Sequence, residues 1–89
     1  MDWVTVRFVL SSELRLRILT ELRGRPVTPS EIASTLQKHT SQVSRALREL
    51  EAQDLVVAQK LEKARVKPYV ITPNGVQVLQ EIRRLTMRV

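Results

Sequence analysis

One segment in the middle of the chain restricts the possible folds more than any other part of it. Residues 28–57 read TPSEIASTLQKHTSQVSRALRELEAQDLVV, in which two amphipathic helical patterns are separated by a polar break at 37–39 and followed by a β-rich run. Thr28 and Glu31 have the spacing of a capping box, and Pro29 stands at the first helical position. The apolar side of this first, short helix consists of Ile32, Ala33 and Leu36. Two such helices in succession predict a helix-turn-helix.

The second helix is predicted to span residues 40–53, with Thr40 or His39 as its N-cap. Its apolar arc, which must face the core, consists of Val43, Leu47 and Leu50. The opposite side carries Ser41, Arg45 and Arg48, flanked by Gln42 and Ser44. Short polar groups near a helix start permit close approach to a major groove, and arginines further along reach phosphates or guanine O6 and N7. The alternative is a solvated face without a ligand, in which Arg45 pairs with Glu49.

Two β-rich runs follow, LVVA from Leu55 and YVI from Tyr69, and the charged segment QKLEKARVKP separates them. This order predicts an antiparallel hairpin with a tip longer than two residues, because the segment contains no glycine. Pro68 cannot donate to a strand ladder, which places it at the start or edge of the returning strand. The basic residues of the segment are Lys60, Lys63, Arg65 and Lys67, against Glu62. Such a basic hairpin suits contact with a DNA backbone or minor groove.

The N-terminal third of the chain contains two segments that can contribute to the core beneath the helix-turn-helix. The run WVTVRFVL alternates like a strand, yet it is too short to exclude a helix, and its secondary structure stays open on this pattern alone. Ser12 is a credible N-cap for a helix that should stop at Gly24. Arg15 lies inside the apolar arc of that helix, so its guanidinium must snorkel outward or pair with an acid or a helix-end carbonyl. The arc itself comprises Leu14, Ile18, Leu19 and Leu22.

The C-terminal segment predicts a last amphipathic helix opened by Thr72 and Pro73. One arc of this helix comprises Val78, Leu79, Ile82, Leu85 and Val89. Such a helix can fold back on its own core or pair with a second copy. Because 89 residues supply a modest core, we expect this arc to form a homodimer interface.

Composition narrows the classes of function. The hydrophobic fraction of 43% is typical of a folded chain. The formal net charge of +6 suits a polyanionic partner, although small basic proteins are common and the charge alone does not decide. There is no cysteine and one histidine, so we expect no disulfide, metal or cofactor. The acidic residues Glu31, Glu49, Glu51 and Asp54 fit helix caps or surfaces, and enzyme activity is therefore not expected. No stretch approaches the ~20 apolar residues of a membrane span, so we expect no membrane contact and a cytoplasmic, nucleoid-associated protein.

The chain resembles winged-helix transcription regulators of the MarR/ArsR type, especially small single-domain versions from archaea. SSELRLRIL is similar to the first core helix of that family, SQVSRALRELEAQDLV to its recognition helix and following strand, and YVITPNGVQVLQEI to its wing exit and terminal helix. The resemblance implies an α+β, mostly α fold in a single domain, 1–89. It places the helix-turn-helix at about 28–53, a two-stranded β wing at about 55–71 and an amphipathic C-terminal helix at about 73–88. It also implies a short helix for WVTVRFVL.

Carried over by position, the resemblance implies that four residues of the recognition helix face bases or phosphates, joined by two residues of the wing. These are Ser41, Gln42, Ser44 and Arg45, with Lys63 and Arg65. The full set expected to contact DNA comprises Lys38, His39, Thr40, Ser41, Gln42, Ser44, Arg45, Arg48, Lys60, Lys63, Arg65 and Lys67. The function expected is sequence-specific binding of double-stranded DNA by a dimeric transcription regulator.

The chain departs from the family pattern in three places. Gln37 and Lys38 stand where the turn between the helices often has glycine and an apolar residue, and the wing lacks the common glycine. The metal-sensing branch uses cysteine and histidine clusters, whereas this chain has only His39, which suits a helix start or a phosphate contact. A second function stays open, because the same core would serve a nonspecific architectural DNA binder or a protein-interaction module.

Overall fold

The computed structural model describes residues 3–62 and 65–87, and Lys63 and Val89 therefore lie outside the described residues. Within these ranges the elements are α1 (Trp3–Leu10), α2 (Glu13–Glu21), α3 (Pro29–Leu36), α4 (Thr40–Ala52), β1 (Val56–Ala58), β2 (Tyr69–Ile71) and α5 (Pro73–Thr86). The two strands form one antiparallel sheet with Val57 opposite Val70. The predicted fold class, mostly helical with a two-stranded hairpin and a terminal helix, is confirmed. None of the helices so described is long and apolar enough to cross a membrane.

The N-terminal run is a helix, as the family resemblance implies and against its strand-like alternation. Val6 and Val9 are fully buried, whereas Val4 and Leu10 are exposed. The buried pair is three residues apart, which places both on one helical face but on opposite faces of a strand. Helix α1 packs on α2 and α5, and the strand-like alternation mixes the buried Val6 with the exposed Val4 and Leu10.

Local capping explains where the two helices of the helix-turn-helix begin and end. The Thr28 hydroxyl accepts a hydrogen bond from the Glu31 N–H at 3.3 Å, and the Glu31 carboxylate accepts one from the Thr28 N–H at 3.1 Å. The predicted capping box is thus confirmed, and the bond from the Thr28 backbone holds the pKa of Glu31 below its ordinary value. Gln37 ends α3 in the left-handed conformation at φ 57°, and Lys38 N–H closes the turn on the Ala33 carbonyl. Gln37 therefore adopts the left-handed conformation for which a helix end usually has glycine.

The hairpin is anchored to the helices by a third piece of extended chain. The N–H and carbonyl of Val27, between α2 and α3, pair with the carbonyl and N–H of Tyr69 at 3.1 and 2.9 Å. Pro68 stands just before β2, as predicted, and its carbonyl accepts a hydrogen bond from Gln59 N–H at 2.8 Å. The base of the hairpin is consequently fixed relative to the helix-turn-helix.

The terminal helix corrects one prediction. Val78, Leu79 and Ile82 are only 1%, 4% and 3% exposed within a single chain, and Leu85 packs against the same core. The first three residues are already covered by their own protomer, since α5 lies on α1 and α2. Val78, Leu79 and Ile82 therefore close the core of one chain, and the prediction that they form a dimer interface is wrong for these three residues. Leu85 is half-buried, and its place in an interface stays a prediction. The helix ends at Thr86 rather than at 88.

Candidate nucleic-acid interface

Helix α4 is oriented by its buried side. Val43, Leu47 and Leu50 have no exposed surface, and Ala46 is buried beside them. Because this arc is fixed against α2 and α3, the opposite side must face outward. The residues exposed there are Thr40, Ser41, Gln42, Arg45 and Arg48. Ser44 is half-buried, so it lies at the edge of this outer face rather than at its centre.

Arg45 is free to contact a ligand. Across the described residues its side chain makes no hydrogen bond or ion pair, and the alternative in which it pairs with Glu49 is not what forms. The carboxylate of Glu49 instead accepts a hydrogen bond from the Arg15 guanidinium, with 3.2 Å between Nη2 and Oε1. A guanidinium without an internal partner retains all its donors for a phosphate or a base edge.

The start of α4 is built by two of the predicted contact residues. His39 is the N-cap, and its backbone N–H donates to Oε1 of Gln42 at 3.2 Å. The Gln42 amide oxygen is thus used in capping, while its NH₂ group makes no hydrogen bond to the described residues. Lys38 and His39 are both exposed beside this helix start, where the positive end of the helix dipole favours an anion.

An open depression of about 290 Å³ lies between α4 and the start of α2. Its lining includes Ser41, Gln42 and Arg45 from the predicted set. It also includes Ser12 and Leu14, which sequence reasoning did not associate with the interface. Ser12 was recognised as a cap, and its hydroxyl does accept from Arg15 N–H at 3.3 Å. Only the three-dimensional packing of α2 on α4 brings that cap beside the outer face.

The hairpin contributes a second basic surface. Lys60, Arg65 and Lys67 are exposed on it, as predicted. At its base, burial and the nearby Glu51 carboxylate raise the pKa of Tyr69. Sequence reasoning missed that Leu61 and Val66 are also exposed, at 46% and 56%. Both residues are apolar, but the sequence does not indicate whether an isolated apolar residue in a charged segment will be buried by the rest of the fold.

Residues 3–62 and 65–87 contain no cluster of side chains suited to bind a metal ion. There, His, Asp and Glu side chains do not gather in a group of three or more that could hold an ion. The candidate site is a surface of hydroxyl, amide and guanidinium groups, and such groups recognise phosphates and base edges through hydrogen bonds.

The helix-turn-helix of α3 and α4, the two-stranded hairpin of β1 and β2 and the returning helix α5 define a winged-helix fold. The chain belongs to the family described as the HVO_A0261 N-terminal domain, whose model matches residues 3–89. Comparison with curated protein sequences gives no match.

Solved structures with the same fold include proteins described as transcriptional regulators. BldR from Sulfolobus solfataricus is 30% identical, with a TM-score of 0.77 over 84% of this chain and 55% of that one. The C30S mutant of ZitR from Lactococcus lactis is 26% identical, with a TM-score of 0.73 over 82% and 51%. The complex of S. aureus MepR with DNA is 23% identical, with a TM-score of 0.76 over 84% and 64%, and shows likeness of fold. The chain thus spans about half the length of BldR and ZitR.

Proposed function

We propose that this chain binds double-stranded DNA in a sequence-specific manner as a transcription regulator, with α4 in the major groove. The observation that carries the proposal is the unpaired Arg45 on an exposed polar face whose orientation the buried side of α4 fixes. The likeness to BldR, which is itself a transcriptional regulator, supports it. A net charge of +6 suits a polyanionic partner.

The proposed DNA contacts fall into two groups, contacts with phosphates and contacts with bases. Phosphate contacts set the position of the protein on DNA without reading its sequence. We assign them to the basic residues beside α4 and on the wing, which are Lys38, His39, Arg48, Lys60, Lys63, Arg65 and Lys67. Base preference comes from Ser41, Gln42, Ser44 and Arg45, together with Thr40 at the helix start. Within that group, Arg45 can form paired hydrogen bonds to guanine, and the Gln42 NH₂ group can donate to a base acceptor while its oxygen caps the helix.

We further propose a homodimer, now through α1 rather than α5. Trp3, Val4 and Leu10 are 54%, 71% and 45% exposed, and the seven-residue spacing places Leu10 on the same side of the helix as Trp3. Large apolar residues grouped on an exposed helix face favour association. A twofold dimer would present two recognition helices to successive major grooves, about 34 Å apart.

Trp3 is the only tryptophan in the chain and reports on this dimer directly. With increasing protein concentration, we expect its fluorescence maximum to move to shorter wavelength as water is excluded, in step with the mass found by sedimentation. Val4→Glu should keep the protein monomeric with an unchanged circular dichroism spectrum, because Val4 is mostly exposed. Val66→Glu, at an exposed valine of the wing, is the matched control and should dimerise normally. Dimerisation of Val4→Glu with wild-type affinity would contradict the proposed surface.

The wing should account for part of the salt dependence of binding. Replacing Lys60 or Lys67 by alanine removes one phosphate contact each, so the slope of log K against log salt should become shallower by about 0.9 per substitution. Arg84→Ala removes the same charge from α5, where Arg84 pairs with Glu81, and should leave the slope unchanged. An equal change in all three variants would indicate a general charge effect and no wing contact.

Selection of duplexes from a random pool tests the proposed function. Repeated rounds of binding and amplification should enrich one sequence, symmetric if two copies bind together. No enrichment, with all duplexes retained alike, would indicate an architectural DNA binder. No retention of any duplex at low salt would indicate a protein-interaction module.

A further inference from the structure

Arg15 joins three helices through one guanidinium group. Its Nη1 donates to the Phe8 carbonyl at 2.8 Å and to the Ser11 hydroxyl at 3.1 Å, while Nη2 donates to the Glu49 carboxylate at 3.2 Å. Its Cζ atom lies 3.9 Å from the centroid of the Phe8 ring. The cation is therefore held at the end of α1 and extends toward α4 from a position that is 18% exposed.

Glu49 has two possible cationic partners. It follows Arg45 by four residues on α4, a spacing at which helical side chains meet and oppositely charged groups attract. It also faces Arg15 across the α2 and α4 contact, and that is the pair which forms. Arg15 has the geometric advantage because its other donors already fix the guanidinium on Phe8 and Ser11, whereas Arg45 would have to lose side-chain freedom to reach the carboxylate.

We propose that Arg15 is a positioning residue for DNA binding: by holding the Glu49 carboxylate, it keeps Arg45 unpaired and available to DNA. Of the described residues that line the depression beside Arg45, Glu49 is the one with an acidic side chain. Its charge, when not offset by Arg15, would both attract Arg45 and repel an approaching phosphate. This role rests on the proposed function, since it concerns which groups of α4 remain available to DNA.

The role predicts a specific pattern of rescue. Arg15→Gln should weaken binding to the selected duplex by about three- to tenfold at low salt and less at high salt, because partly exposed charges are screened. Arg15→Gln combined with Glu49→Gln should restore affinity to within about twofold of wild type, since no carboxylate is left to compete. Glu49→Gln alone should bind as well as wild type or more tightly.

A merely structural role for Arg15 gives a different pattern. If loss of its bonds to Phe8 and Ser11 only loosened the fold, the single and double variants would lose thermal stability and DNA affinity together, without rescue. The effect of Arg15→Gln on DNA affinity should also become smaller when Arg45 is already alanine, because Glu49 and DNA then no longer compete for the Arg45 guanidinium. An undiminished effect in that background would overturn the proposal.

One readout is independent of DNA and separates this proposal from the proposed function. In NMR spectra of the free protein, exchange of the Arg45 side-chain Nε–H with water should slow in Arg15→Gln and return to the wild-type rate when Glu49→Gln is added. That result would support the exchange of partners even if no duplex bound. An Arg45 exchange rate that is the same in all variants would refute it, whether or not the wild type binds DNA.

Discussion

Arg45→Ala is expected to weaken binding to the selected duplex by about ten- to a hundredfold, and binding to random duplexes by about threefold. The difference follows from chemistry, because a bidentate arginine contact with guanine is worth about 1–3 kcal/mol of discrimination against other bases. A phosphate contact carries no such preference. Arg45 is suited to the first role, since it is exposed on the outer face of α4 and has no internal partner among the residues described.

Fluorescence anisotropy on both duplexes, at the same salt concentration, measures this difference. Arg83→Ala is the matched control, because Arg83 is an exposed arginine on α5. It should reduce both affinities slightly and equally. If Arg45→Ala bound every duplex as tightly as wild type, the assignment of α4 as the recognition helix would be wrong. An equal loss on both duplexes would reassign Arg45 to phosphate contact.

Gly75→Ala is expected to lower the free energy of unfolding by about 2–4 kcal/mol. A Cβ at this position would overlap the Leu55 carbonyl oxygen and stand 2.6 Å from Cγ1 of Ile71. The carbonyl belongs to the backbone and cannot rotate away, and it already accepts a hydrogen bond from Thr72 N–H at 3.0 Å. Overlap with it therefore forces a shift of α5 against the base of the wing.

The surrounding bonds hold Gly75 in place. Its N–H donates to the Thr72 hydroxyl at 3.0 Å, and that hydroxyl donates to the Asp54 carbonyl at 2.6 Å. Asn74 adds a bond to the Asp54 carboxylate at 2.7 Å. The start of α5 is thereby tied to the turn that follows α4, so displacement of α5 would also disturb the end of α4.

Thermal and denaturant unfolding measure the cost, with the protein's other glycine as control. Gly24 adopts φ +89° in open space, so Gly24→Ala should cost about 1 kcal/mol from backbone strain alone. For a domain of this size, each kcal/mol lowers Tm by about 4–8 °C. If Gly75→Ala were no more destabilising than Gly24→Ala, the close approach of α5 to Leu55 would not limit stability.

The elements that the sequence predicted well are those defined by neighbouring residues. The capping box at Thr28 and Glu31, the proline-led starts of α3 and α5, and the apolar arc of α4 each depend on contacts within about four residues. The position of Arg15 in an apolar arc predicts that its guanidinium either snorkels outward or pairs with an acid or a helix-end carbonyl, and it pairs with both an acid and a carbonyl.

The elements that were missed depend on residues far apart in the chain. The arc of α5 has the same pattern whether it covers its own core or a partner, and only its packing on α1 and α2 decides between them. Likewise, the sequence offers Arg45, four residues before Glu49 on the same helix, as a candidate partner, and no neighbouring residue indicates that Arg15 forms the pair instead. Helix α1 is too short for a helical spacing of its apolar residues to be distinguished from the strand-like alternation that the same residues show.

The most direct test of sequence-specific binding is the ratio of two dissociation constants at about 0.15 M salt, one for the selected duplex and one for a scrambled duplex of the same composition. We expect the selected duplex to bind about a thousandfold more tightly or better, as specific regulators do. Equal dissociation constants would contradict the account, because α4 would then contribute charge to binding but no base recognition.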